Sequence, residues 1–332
     1  MPRLPFNKTS DFMREREFGQ KIEATFDFIR AHYRPFGKCL LYIVLPVVLL
    51  TGIANGLTQM GMKSYMQDLQ QATRAGDSVM EPMLRFMSSP TYLLVILLSI
   101  LTGTVMSLTV YGYLLLRMDK PAEEEVTVVE VWNLVKSRLL SGIGVTIGMV
   151  ALLVLVLLPL YPAREYPGIF VLIMLAEYVV FPYLMVTLSL FFIIWMREQQ
   201  GFVAALRRSF YLIWGKWWST FGLLLVMSII IGFLSFFAMI PQYFMNITNM
   251  LKTGEAPTNS LLLVASNALG TTVMLMLYPL LFLTLAFQYF NLVERRDGEG
   301  LFALVGQIGQ RSPAVGPQPE DRYRPDEHEG EY

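Results

Sequence analysis

Six long apolar runs divide the sequence, each about as long as a helix that crosses a bilayer. Stretches free of Lys, Arg and Asp cover residues 39–57, 92–116, 139–160, 169–196, 218–240 and 261–292. A hydrocarbon core about 30 Å thick asks for about 20 mostly apolar helical residues. Lipid offers backbone amides no partners, so such runs must be helices or the strands of a closed barrel. Their length and lack of strict alternation exclude the barrel. The pattern therefore predicts an all-α, polytopic integral membrane protein with six transmembrane helices.

An amphipathic segment precedes each odd-numbered run. Before the fifth run come Phe202, Leu206, Phe210, Ile213 and Trp217; before the first come Phe18, Ile22, Phe26, Ile29 and Tyr33, at the same spacing. Val128, Trp132, Val135 and Leu139 keep the last part of that spacing before the third run, with Glu124 where its first apolar residue would stand. Any amphipathic helix yields steps of three and four, so position before alternate spans carries more weight than spacing. The expected organisation is three repeats of amphipathic helix plus two spans. Residues 1–14 read as a flexible N-terminus and 15–292 as the transmembrane domain. Residues 293–310 read as a short amphipathic segment, with Leu301, Leu304, Val305 and Ile308 on one face, and 311–332 as a disordered cytoplasmic tail rich in Pro, Asp, Glu and Gly.

Charge orients this arrangement. Lys and Arg number 8 in residues 1–38, 4 in 117–138, 4 in 197–216 and 5 in 293–332, whereas the opposite side holds only Lys63, Arg74, Arg85, Arg164 and Lys252. The positive-inside rule then places both termini in the cytoplasm. The basic faces carry Arg14, Arg16, Lys21 and Arg30 in the first amphipathic segment and Arg207, Arg208 and Lys216 in the third. Arg207, Arg208 and Lys216 are the expected contacts to anionic lipid headgroups, if that helix lies in the interface; packing on the bundle as an elbow is the alternative. Trp217 and Trp218 are expected interface anchors.

Composition agrees: 54% of the 332 residues are apolar, 16% are charged, and mean hydropathy is +0.48. Lys plus Arg equals Asp plus Glu at 26 each, so no basic excess points to nucleic acid. One cysteine, Cys39, precludes an internal disulfide, and with His32 and His328 it supplies little for a metal or nucleophilic site. No cofactor is expected. The first 37 residues lack the pattern of a cleaved signal peptide, so the mature chain is expected to begin near Met1.

The stretch from Ala205 through Arg207, Arg208, Ser209, Trp214, Gly215 and Trp218 to Gly222 resembles the membrane domain associated with glycerophosphoryl diester phosphodiesterases, and related bacterial membrane proteins. Phe287 to Arg295 is similar to the end of such a domain in proteins from the Bacteroidetes. The resemblance covers roughly residues 15–300. It implies a membrane fold in a bacterial cytoplasmic membrane and transfers no catalytic residue. The phosphodiesterase chemistry of that family belongs to a soluble barrel of about 250 residues, for which the longest stretches between spans leave no room.

Glu177 is the one carboxylate well inside a run. Intramembrane acids are costly enough to suggest function, although Glu177 lies near enough to the helix end to snorkel. Pro46, Pro159, Pro182 and Pro279 read as kinks, and Asn267 and Gln288 as interhelical hydrogen-bond partners. The Gly144–Gly148 pair reads as a small-residue packing face. Met80, Met83 and Met87 share a helical face that suits packing better than copper. Two functions compete: a non-enzymatic scaffold or accessory module that binds membrane partners, a second copy or anionic lipids, and a small-molecule or lipid transporter with its site between the spans.

Overall fold

The computed structural model describes residues 6–121, 123–163, 165–253, 260–300 and 302. Among the described residues 88% are helical and none is in a strand. In chain order the helices are α1 (Thr9–Phe12), α2 (Phe18–Cys39), α3 (Leu45–Ala75), α4 (Met80–Met87), α5 (Pro90–Asp119) and α6 (Val128–Leu157). They continue as α7 (Leu160–Ala163), α8 (Pro167–Leu188), α9 (Phe191–Glu198), α10 (Phe202–Ile213), α11 (Trp217–Thr253) and α12 (Ser260–Asp297). Six helical stretches are long and apolar enough to cross a membrane: Phe18–Ala75, Pro90–Asp119, Val128–Pro162, Pro167–Glu198, Trp217–Phe237 and Val264–Asp297. This is a multi-pass α-helical membrane protein.

Proline sets the shape of the first span. The Pro46 ring crowds the carbonyl four residues earlier, and the chain joins α2 to α3 through a π-helical turn, Leu40–Val44. Pro35 acts similarly within α2, where His32 leaves the helical region at φ −120°, ψ 19°. Beyond residue 57, α3 continues to Ala75; its 31 residues extend about 46 Å, well past a hydrocarbon core. Gly76, at φ 75°, ends it in the left-handed conformation that lacks a steric penalty only for glycine. The projecting end packs on α4, where Tyr65 stacks on Phe86 with centroids 4.7 Å apart.

The three amphipathic segments differ from one another. The first is continuous with its span through the π turn. The second is absorbed into α6, whose start is a capping box: Glu130 N–H donates to Thr127 Oγ1 (3.3 Å) and Thr127 N–H to Glu130 Oε2 (2.9 Å). Only the third stands apart, as α10, set off from α11 by a turn through Gly215 at φ 72°.

α3, α5 and α12 form the core. Of the most apolar stretch, 44% is buried in α5 but only 6% in α6 and in α8, so the α6–α8 hairpin is peripheral. A close helix crossing lies between α3 and α12, where a Cβ built on Gly52 would sit 2.6 Å from the Ala268 carbonyl oxygen, and one on Gly56 2.6 Å from that of Val264. The expected Gly144–Gly148 face does not form: a Cβ added at Gly144 would meet nothing within 4 Å, and one at Gly148 would meet the Phe202 ring. Gly142 instead packs on Thr104 and Leu108 of α5. Hydroxyl pairs reinforce these seams, with Thr51–Thr102 at 2.6 Å, Thr104–Thr146 at 2.8 Å and Thr25–Thr284 at 3.0 Å.

The expectation of a flexible N-terminus fails from residue 6 onward. Phe6 and Phe12 are buried and meet Phe28 and Phe287. Aromatic burial outweighs the polar composition of this segment. Leu301, Leu304, Val305 and Ile308 of the expected amphipathic segment, and the tail 311–332, lie outside the described residues.

Candidate functional site

The N-terminal segment, the α5–α6 loop, α9, α10 and the end of α12 meet at one end of the bundle. This end gathers the basic residues, and buried cations tie its loops together. Arg16 donates to the carbonyl oxygens of Phe12 (2.7 Å) and Asp11, and its N–H donates to Asn291 Oδ1 (2.8 Å). Burial, with Arg14 adding repulsion, lowers the Arg16 pKa to about 10. Arg117 donates to the carbonyls of Lys120 (3.1 Å), Pro121 and Glu124, shaping the turn into α6.

A second network joins α9, α10 and α12. Arg208 donates from Nε to Glu198 Oε1 (3.1 Å) and from Nη2 to Asp297. The Tyr289 hydroxyl donates to the same Glu198 oxygen at 2.9 Å. Arg197 reaches Glu299 at 2.7 Å and the Tyr289 hydroxyl at 3.2 Å, with its guanidinium carbon 5.5 Å from the Tyr289 ring centre. Burial works against the Arg208 charge, but the bonds to Asp297 and Glu198 more than offset it and hold its pKa above the ordinary value.

Arg208 is thus engaged within the protein rather than held out to a lipid phosphate. Its partners lie 10 and 89 residues away, so sequence spacing gave no sign of them. Arg207 and Lys216 are exposed. Trp217 also departs from its expected role: its Nε1 donates to the Tyr183 carbonyl (3.3 Å) and its ring stacks on Phe221 at 5.1 Å, fixing α11 to α8. Trp218, 78% exposed, keeps the outward position of an anchor. Gln288 donates to Thr220 Oγ1 at 2.8 Å, tying α12 to α11 as expected.

Glu177 stands apart, 11 residues or about 16 Å along α8 from the helix end at Leu188. Its Oε2 is buried and makes no hydrogen bond in this structure. The sequence marked this residue, but it gave no sign of the buried Arg16 and Arg117.

Replacing Arg208 with Ala strands two carboxylates. The side chains of Arg208, Glu198 and Asp297 are 21%, 17% and 28% exposed, so the loss should be about 2 kcal/mol, below that of a fully buried pair. Arg207→Ala should stay within about 0.5 kcal/mol. Denaturation in mild detergent checks both; equal effects would remove the distinction drawn between these neighbours.

No protein-family model, curated protein or solved structure matches the chain.

Proposed function

We propose that this multi-pass protein is a non-enzymatic scaffold or accessory module, which engages anionic lipid headgroups or a membrane partner at its basic end. One observation carries the reading. At the α10–α11 elbow, Trp214 and Trp218 are 72% and 78% exposed beside the exposed cations Arg207 and Lys216, the combination suited to a lipid–water interface. The distribution of Lys and Arg supports a cytoplasmic position for that end and for both termini, in a bacterial inner membrane. The threefold unit and the likeness to the phosphodiesterase-associated membrane domain supply the frame of this proposal.

The test is native mass spectrometry after extraction in mild detergent. A stoichiometric protein partner or enriched phosphatidylglycerol is expected, with the lipid enrichment reduced by Arg207→Gln with Lys216→Gln. Recovery of neither partner nor anionic lipid overturns the reading.

A second reading, a proton-coupled transporter, is favoured by the buried, unpartnered Glu177 Oε2. Under it, Glu177→Gln leaves stability within about 0.5 kcal/mol and abolishes proton flux in proteoliposomes loaded with a pH-sensitive dye. Under the scaffold reading, wild type and variant both match empty vesicles.

A further inference from the structure

Lys21 is a buried cation with no anion beside it. The residue lies on α2 and is 3% exposed. A lysine that merely lays its stem along apolar surface keeps its ammonium in water, and so small an exposure leaves the ammonium covered too. That ammonium has three donors. Its contact among the described residues is Ser219 Oγ at 3.5 Å, longer than the usual range of about 2.7–3.2 Å.

The acids on neighbouring chain do not neutralise it. Glu15 pairs with Arg295 at 3.4 Å, Asp297 pairs with Arg208, and Glu294 accepts the Gly300 N–H at 2.6 Å. Glu17 and Glu23, on the same stretch as Lys21, are exposed, and neither forms an ion pair with it. The charges that act on Lys21 are the cations Arg295 and Lys216, which repel it. A covered ionic group with only like charges around it is costly to the fold, and an anion supplied from outside the chain removes that cost.

The contact at Ser219 shows where such an anion would sit. Ser219 is the third residue of α11, which begins at Trp217. The N–H groups of Trp217, Trp218 and Ser219 precede the first intrahelical bond, and they have no backbone acceptor among the described residues; the first donor of the turn is Thr220, to the Lys216 carbonyl at 3.2 Å. A helix start carries the positive end of the dipole and favours an anion. The ammonium of Lys21 therefore meets a second positive element rather than a negative one. Exposure also rises outward from it, from buried Lys21 through half-buried Ser219 to exposed Lys216, which gives an anion a path from the surface.

We infer that the first turn of α11, with Lys21 as floor and Lys216 at the rim, binds a phosphate oxyanion. A phosphate group presents several acceptor oxygens, so one group can accept from the ammonium, the Ser219 hydroxyl and the free N–H groups together. A lipid headgroup and free phosphate share this chemistry. The site rests on the anionic-lipid arm of the proposed function and gives it a discrete phosphate contact, which the exposed cations of the elbow do not by themselves require.

Thermal melting of the full chain, stripped of lipid in a neutral detergent, tests the site with three probes: dioctanoyl phosphatidylglycerol, dioctanoylglycerol and inorganic phosphate. A saturable rise in Tm is expected with phosphatidylglycerol and none with dioctanoylglycerol. An equal rise with millimolar inorganic phosphate supports the site with a soluble source, and a rise with the lipid alone supports it with a headgroup. Lys21→Met keeps the length of the side chain and removes the charge. It should melt no lower than wild type without a probe, and its half-saturating concentration should increase at least about tenfold. Ser219→Ala, at a half-buried position, should increase it about fivefold. No rise with either phosphate probe overturns the site, as does a wild-type response in both variants. A Lys21→Met protein that melts well below wild type without a probe also overturns it, because the chain itself then holds the ammonium. If Arg207→Gln loses the response while Lys21→Met and Ser219→Ala keep it, the elbow reading stands and the buried site falls. A captured protein partner with no response to any probe leaves the scaffold reading without this site.

Discussion

Gly56→Val should prevent α3 from docking on α12, and with Gly52→Val added it should eliminate monodisperse protein from mild detergent. A Cβ at Gly56 would meet the Val264 carbonyl oxygen at 2.6 Å and its Cα at 3.0 Å; one at Gly52 would meet the Ala268 carbonyl oxygen at 2.6 Å and Thr272 Oγ1 at 2.9 Å. These are mostly backbone atoms, which cannot rotate away as a flexible side chain can. The helices must separate, and dispersion contacts weaken along the whole seam. Helix association in lipid depends heavily on such close packing, because apolar burial against another helix gains little over burial against acyl chains. Overpacking costs about 1–3 kcal/mol at one site, and two sites on one face should exceed about 3 kcal/mol. Gly144→Ala supplies a control of opposite sign: nothing lies within 4 Å of its Cβ position, and removing a helical glycine should stabilise by up to about 1 kcal/mol. Size-exclusion profiles and denaturant midpoints would show both effects. A Gly52/Gly56 double variant that elutes and unfolds like the wild type would refute the close crossing.

The contrast between these glycines illustrates what sequence could and could not convey. The six spans were legible because hydrocarbon makes a local demand, about 20 apolar residues in succession. Helix ends were less so, since α3 continues to Ala75 through polar residues that leave the hydrocarbon without leaving the helix. A small-residue motif shows only that close approach is sterically allowed. Gly52–Gly56 and Gly144–Gly148 share the same spacing, and only the partner helix distinguishes them. The same limit applied at the basic end. Arg207, Arg208 and Lys216 read alike as exposed cations, yet Asp297 and Glu198 close on Arg208 alone. Glu177 was legible for the opposite reason: an acid in an apolar run violates a local rule, whatever surrounds it.

Phe28→Ala should release the N-terminal segment while leaving the membrane-crossing core associated. Phe28 is fully buried and meets the rings of Phe6 (5.8 Å), Phe12 (6.1 Å), Phe36 (6.1 Å), Tyr113 (6.1 Å) and Phe287 (6.1 Å), with His32 at 4.9 Å. Truncating a buried Phe removes its transfer energy and leaves a cavity, together about 3–5 kcal/mol. Two of the neighbours, Phe6 and Phe12, sit on the N-terminal segment, whose remaining ties are to Phe287 and Phe290, the Asn291 side chain and the Met118 carbonyl, so loss of the ring that both share should loosen that segment before the helix core. Arg16 reports the event. Arg16 is 4% exposed and its guanidinium is held by the carbonyls of α1, so trypsin should cut after Arg16 slowly in the wild type and rapidly in Phe28→Ala. Phe18→Ala, at a position 40% exposed, should leave that rate nearly unchanged. The Gly52–Gly56 crossing lies farther along the bundle and uses none of these rings, so the Phe28→Ala protein should remain monodisperse in detergent. Undiminished protection of Arg16 in Phe28→Ala would mean that the aromatic cluster does not hold the N-terminal segment. Protection lost together with the monodisperse peak would mean instead that the cluster and the helix core unfold as one unit.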